Sequence, residues 1–506
     1  IGGTNDITFT GAVAAGDLTV TGNDTTFTTI DADGDLTVTA TTNFVAGNID
    51  ADNDVVISAD DIDSTGTLKT TTSGTADGSV TLTSTGNDVD LTGASDIDGA
   101  LTVTAADAFT NAANLVTEND ITITADDFTA AAGAAVTVEA GKLTATVTND
   151  ITITDSDLTV TGGGVTIVQN GTSDNTVSFG GGDGSLTVSN DISITAENVD
   201  IDGVITTAGN LTIAAENDVT VAAAAATDVS GNVTITSSDA AGDSVITTTG
   251  TLKADNDITI TAVDQIAVHE LETVKGDVSL TATNEITFST TALDNVSGSL
   301  NVTSTSASAA ANNGIITLGV NVTADNDITI TGAKIDGNAD IVSSNDDITL
   351  TSTNDINLSA VTTATKGDVT ISVTGTAGMD LVVAADATGL ITAANDVTIS
   401  ADDVTVGNIV SSAAGNVVIT ANNDITATGD ITTNTGSGSI TITSNKAWVD
   451  GAAGITLSDG ETLDADNDVT ITAASGAEIA MGSAAINSSA KGDIKITGGD
   501  IDGSGN

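Results

Sequence analysis

The chain has no proline, cysteine or tyrosine, and all nine of its basic residues are Lys, so arginine is missing too. One Trp and one His complete the shortage. Without cysteine there is neither a disulfide framework nor a thiolate metal site. Without proline, nothing prevents an internal strand from donating hydrogen bonds to a neighbour along its whole length. With nine cations against a net charge of −61, the chain cannot neutralise phosphates, which excludes nucleic acid as a partner. An anionic membrane surface would repel it as well. No apolar run reaches the roughly 20 residues of a membrane span. The chain starts at Ile1 with no Met and no signal-peptide pattern, which reads as a processed mature protein or a segment of something longer.

What is present repeats. Asn-Asp-Ile-Thr-Ile-Thr stands at 119–124, 149–154, 256–261 and 326–331, with looser copies at 5–10, 395–400 and 467–472. A sister form begins with Gly, as in GNVTIT at 231–236, GDVSLT at 276–281 and GDVTIS at 367–372. In both, a turn-tolerant residue precedes a β-branched run of period two, with Ile or Val facing inward and Thr outward. The first apolar residues of the main copies run from Leu18 through Leu143, Val165, Leu186 and Leu211 to Ile494, and most steps are 19 to 22 residues. One strand signal per step, with no helical punctuation, predicts a solenoid.

A second strand follows at a fixed offset. Val278 leads to Ile286, Leu211 to Val219 and Ile348 to Ile356 after eight residues; Val55 leads to Ile62, Ile121 to Phe128 and Val397 to Val404 after seven. Strand, corner, strand and a third, less regular piece make one coil. The expectation is an all-β, single-stranded, right-handed parallel β-helix (β-solenoid) of about 22 coils of about 20–25 residues. At ~4.8 Å per coil it would be roughly 105 Å long. We expect one continuous domain over 1–506, with surplus residues near 301–325, 374–394 and 445–466 bulging from corners as loops.

Few residues invite chemistry. His269 lies near Glu270, Glu272 and Lys275, and Trp448 sits in the last long insertion. Polysaccharide-acting β-helix enzymes combine clustered carboxylates with Arg or Lys and aromatic subsites. Here the carboxylates follow the repeat instead of interrupting it, so no catalytic residues are assigned and the chain reads as a non-enzyme. Thr-x-Thr pairs such as Thr122 and Thr124 mark an outward ladder that suggests ice binding as a minor alternative, although Ala145 and Lys495 look like breaks in it. Asn-x-Ser/Thr triplets, among them Asn23, Asn170 and Asn301, follow from the turn pattern.

The GNLTIA and GDVTI repeats resemble the β-helical shafts of large bacterial exoproteins, the filamentous-haemagglutinin type of adhesin. The resemblance extends over nearly the whole chain. It implies an extracellular, cell-surface, non-enzymatic role: the shaft or subunit of a fibre, assembling head to tail with copies of itself. The alternative is an adhesin passenger binding a glycan or protein through its loops. A secretion domain with an Asn-Pro-Asn-Gly-like motif belongs to part of that family and is excluded here by the lack of proline.

Charge density points to cations. Spread over the expected length, the net charge amounts to about one per 1.7 Å, comparable to duplex DNA. Screening by salt could offset it. Calcium is the sharper expectation, because clustered Asp and backbone carbonyls form its ligand set. The spacing of DADGD and DADND would place Asp31, Asp33 and Asp35 beside Asp50, Asp52 and Asp54, and a second site would unite Asp325 and Asp327 with Asp346 and Asp347. The competing reading is that each Asp caps a corner by accepting from backbone N–H groups.

Overall fold

The computed structural model describes residues 1–71, 78–171, 174–180, 184–222, 226–239, 244–289, 293–306, 313–375, 378–384, 389–434, 437–446, 453–489 and 492–503. Among them there is no helix, and every strand pairing is parallel, in a β-solenoid of about 20 turns. The chain falls into two compact units, Ile1–Asp255 and Asn256–Asn506.

Each coil follows one plan. A first strand of four or five residues begins at an anchor residue, a second follows across a corner, and a third completes the turn. One coil of the first unit has Ile121–Ala125, Asp127–Ala130 and Val136–Val138; the next has Leu143–Val147, Ile151–Ile153 and Asp157–Val160. Corresponding strands pair in register, Ile121 with Leu143, Phe128 with Ile151 and Val136 with Leu158. The stack therefore has three faces, and we call the one carrying the anchors the first face. At the start of the first unit, the second and third strands are fused into long ones, Thr25–Ala32 and Asn43–Ala51. The latter pairs with the two separate strands Asp61–Ser64 and Leu68–Thr70 of the next coil.

Alternation sets the core. In Ile258–Ala262 the residues Ile258, Ile260 and Ala262 are buried, while Thr259 and Thr261 reach the surface. Aromatics stack between adjacent coils, with the Phe109 and Phe128 rings 5.4 Å apart. Small polar residues close the inside of corners: the Ser352 hydroxyl, fully buried, donates to the carbonyls of Ala333 (2.6 Å) and Asp355 (3.2 Å). The Gly form of the repeat has a packing cause. A Cβ on Gly276 would lie 2.2 Å from the carbonyl carbon of Asn256 in the preceding coil, so a side chain there would force the backbone to shift.

Two expectations need correction. Leu186 is not an anchor: it lies in Ser185–Val188, a third strand paired with Asp157–Val160, and the first strand of the next coil is Ile192–Ala196. The third piece is a regular in-register strand. Within the ranges expected to carry surplus residues, Ile315–Leu318, Val322–Ala324, Asp380–Val383, Leu390–Ala393, Ala453–Leu457 and Thr462–Ala465 are second and third strands. Residues 307–312, 376–377, 385–388 and 447–452, Trp448 included, lie outside the described residues.

Candidate functional site

The acidic residues concentrate where the chain turns, because a corner needs residues that tolerate turn geometry and can bond nearby backbone. Where the residue just before a first-face strand carries a side-chain oxygen, one arrangement recurs: that oxygen accepts the backbone N–H of the equivalent residue one coil later. In the second unit this ladder is unbroken from Asp327. Asp347 N–H donates to Asp327 Oδ1 (3.1 Å), Asp368 to Asp347 (2.7 Å), Asp396 to Asp368 (2.9 Å) and Asn416 to Asp396 (2.7 Å). It continues through Ser439 and Asp468 to Asp493. The first unit does the same, with Ser79 N–H on Asp54 Oδ1 (2.9 Å) and Lys142 N–H on Asp120 Oδ1 (2.9 Å). Similar bonds occur at the other two corners, where Thr176 N–H donates to Asp150 and Val361 N–H to Asp340. A backbone N–H meeting a carboxylate contributes about 1.5–3 kcal/mol when desolvated.

This geometry places the ten aspartates named as metal ligands. Asp31 pairs in register with Asp50, both on the outside of their strands, and Asp50 in turn pairs with Lys69. Asp54 caps Ser79, Asp52 Oδ1 accepts the Thr71 hydroxyl (3.0 Å), and Asp35 donates its N–H to Asp17 (3.2 Å). Asp33 donates its backbone N–H to the Ala15 carbonyl. Among the described residues, one trio of acidic side chains has its oxygens within 4.8 Å of one another: Asp327, Asp346 and Asp347. Asp325, Asp31, Asp33, Asp35, Asp50, Asp52 and Asp54 belong to no such trio. Within it, Asp327 and Asp347 each commit one oxygen to a corner cap and keep the other free to bind. Lys366 stands next to it, its Nζ donating to Asn345 Oδ1 at 2.5 Å. Three carboxylates with water completing the shell suit a hard divalent cation such as calcium.

Other acidic groups are pressed together. Asp380 faces Asp403 in register, with Asp355 and Asp402 close by. Burial, followed by repulsion from Asp403, Asp355 and Asp402, raises its pKa above the ordinary aspartate value. Its N–H donates to Asp355 Oδ1 (3.1 Å), and one step along the same corner Asp424 is paired with Lys446 at 2.6 Å. Asp61 and Asp63 are raised in the same way, burial first; the charges of Asp88, Asp90 and Asp60 add to it at Asp61, and those of Asp61, Asp90 and Asp88 at Asp63.

Sequence reasoning missed one polar cluster altogether. Gln169, Asn175 and Glu197 are buried in the first unit. The Glu197 N–H donates to Gln169 Oε1 (2.7 Å), its carboxylate accepts the Asn175 N–H (3.1 Å), and Gln169 Nε2 donates to the Thr148 carbonyl (3.2 Å). Beside it lies an open groove of about 490 Å³. The available signal was local: Glu197 stands after the small residue that ends a first strand, where Asp402 is also buried and accepts from Asn423 Nδ2 at 2.9 Å. His269 sits half-buried between Gln265–Val268 and Glu270–Thr273. Compared with known proteins, the chain matches no family model, no curated protein and no solved structure, and it stands as a β-solenoid repeat protein on its architecture.

Proposed function

We propose that this chain is a structural, non-enzymatic part of an extracellular or cell-surface fibre, a shaft similar in texture to those of filamentous-haemagglutinin-type exoproteins. The observation that supports it is the corner ladder. Residue after residue, the acidic side chains serve to hold one coil on the next, and the same arrangement recurs in both units. Such an architecture favours length and uniformity over a local reaction centre.

Coil stacking supplies a route to assembly. Within each unit, every coil pairs in parallel with the one before it, strand on strand, a mode of contact that copies of the chain could continue. The reading is head-to-tail addition of copies, a heterologous contact that does not close. Calcium at Asp327, Asp346 and Asp347 would relieve the carboxylate repulsion that accumulates along a corner.

Electron microscopy of the purified chain tests this. Filaments are expected, shortened to rods when a charged, proline-bearing cap is fused after Asn506. A protein that remains monomeric at high concentration, with and without calcium, overturns the assembly reading.

A further inference from the structure

The first face differs from the other two in its outward side chains. Each first-face strand points its second and fourth residues to solvent, and the uninterrupted register stacks them into two columns in each unit. In the first unit, seventeen of these twenty-two positions are Thr and two are Ser, the exceptions being Val56, Val168 and Ala214. In the second unit sixteen are Thr and three are Ser, the exceptions being Asn301, Val418 and Lys495. Ala145, which looked like a break, faces the core between Ile123 and Ile167 and interrupts nothing.

No carboxylate stands at any of these positions, in a chain with 70 acidic residues. The outward residues of the second and third strands provide an internal control, because strand propensity acts on them equally. They include Asp61, Asp63, Asp96, Asp200, Glu272 and Asp403. Propensity alone therefore does not account for a face that is both threonine-rich and acid-free.

The face is a regular lattice of methyls and hydroxyls. Its spacing is ~4.8 Å along a column and ~6.7 Å between columns, from strand separation and two residues of rise. The hydroxyls are largely uncommitted: Thr236 donates weakly to the Ile213 carbonyl (3.4 Å) and Ser400 to Ser372 (3.1 Å). Each free hydroxyl can donate and accept.

We propose that the first face of each unit binds ice. The ordered water lattice is uncharged, flat and periodic in two dimensions, and it offers donors and acceptors to match hydroxyls fixed on a rigid sheet, with little left to immobilise on binding. Two other occupants fit less well. A crystalline polysaccharide would be gripped by aromatic stacking, and no outward position of this face is aromatic. A second copy placed face to face would bring together the two acidic ladders that border it, since Asp347, Asp368 and Asp396 each stand one residue before a first-face strand.

The full chain should show thermal hysteresis and inhibit ice recrystallisation. Thr122→Tyr combined with Thr349→Tyr, one bulge at the middle of each unit's face, should abolish both effects, while Thr152→Tyr with Thr426→Tyr on second strands should leave them intact. Thr122→Ser with Thr349→Ser keeps the hydroxyls and the fold, and should lower hysteresis by removing methyls. The proposal is overturned if the parent shows neither effect, or if the control pair abolishes both. Retention on crystalline cellulose, or a dimer, that is lost in the Thr122→Tyr pair would reassign the face to a glycan or to self-association, and also overturns it.

Discussion

Asp347 accepts the backbone N–H of Asp368 at 2.7 Å while its own N–H donates to Asp327 at 3.1 Å, so one residue is at once cap and capped. Asp347→Ala removes the acceptor and leaves Asp368 N–H to water, a loss of about 1.5 kcal/mol at this solvent-accessible corner. Asp347→Asn keeps an acceptor oxygen and removes one charge beside Asp327 and Asp346. Its stability should equal or exceed the parent's at low salt. Denaturant melts of both variants give the comparison, and equal destabilisation by Ala and Asn would mean that charge, not the cap, matters.

The core can be probed at Ile260, which is fully buried between Val278's coil and its own strand neighbours. Ile260→Asp places an unpaired carboxylate in an apolar column and should cost about 3–5 kcal/mol. Thr261→Asp, one residue on and facing outward, should cost well under about 1 kcal/mol. Chemical denaturation of the two variants separates them.

Calcium should raise Tm beyond the effect of sodium chloride at equal ionic strength, and a chelator should reverse the gain. Asp346 is the selective handle, because Asp327 and Asp347 also serve as caps. Asp346→Asn should cancel the calcium-specific increment and leave the response to salt. A calcium effect unchanged by this substitution would place the ion elsewhere.

Acidity should stabilise the fold before it harms it. The pKa values of Asp61, Asp63, Asp200 and Asp380 are raised, with burial the first cause in each. A carboxyl whose folded pKa lies above its unfolded value contributes stability that is complete below the unfolded value and lost as pH rises through the folded one. Asp24 is lowered, chiefly by the Thr42 hydroxyl and then the Asn43 N–H, so its contribution holds above the ordinary range and disappears below it. Tm should climb as pH falls from neutral towards about 4, the ordinary aspartate range, and then decline. Asp380→Asn should raise Tm at neutral pH and flatten the climb. Melts across pH at fixed ionic strength decide, and a Tm that falls throughout acidification contradicts the assignment.

The periodicity of the fold was readable because one rule, a turn residue before a β-branched alternation, operates in every coil. It failed at SLTVSNDISIT, where Leu186 and Ile192 offer the same alternation six residues apart. The Asn190-Asp191 pair before Ile192 was the better guide, since that corner carries the capping side chain: Asp191 Oδ1 accepts the Asn210 N–H at 2.8 Å. Third strands read only as a less regular piece because they are short and often end in small or polar residues, as in Leu68–Thr70 and Thr362–Ala364. The candidate cation trio was only half readable. Spacing brings Asp346 and Asp347 to Asp327, but whether Asp325 joins them depends on which way each corner side chain turns. The buried Glu197 cluster was invisible, because its partners Gln169 and Asn175 come from the preceding coil.

The side-chain bonds of the corner ladder have a direction. The acceptor belongs to the earlier coil and the backbone donor to the later one, at Asp54 and Ser79, at Asp150 and Thr176, and from Asp327 through Asp468. A finished coil therefore presents a row of waiting acceptors to whatever chain arrives after it. For a polypeptide delivered N-terminus first, from a ribosome or through a narrow pore, every turn that closes becomes the template for the next, and the nearest contacts lie only some twenty residues back. Folding then proceeds as a one-way zipper. Each closed turn opposes backward slippage, so coil formation itself can draw an emerging chain forward.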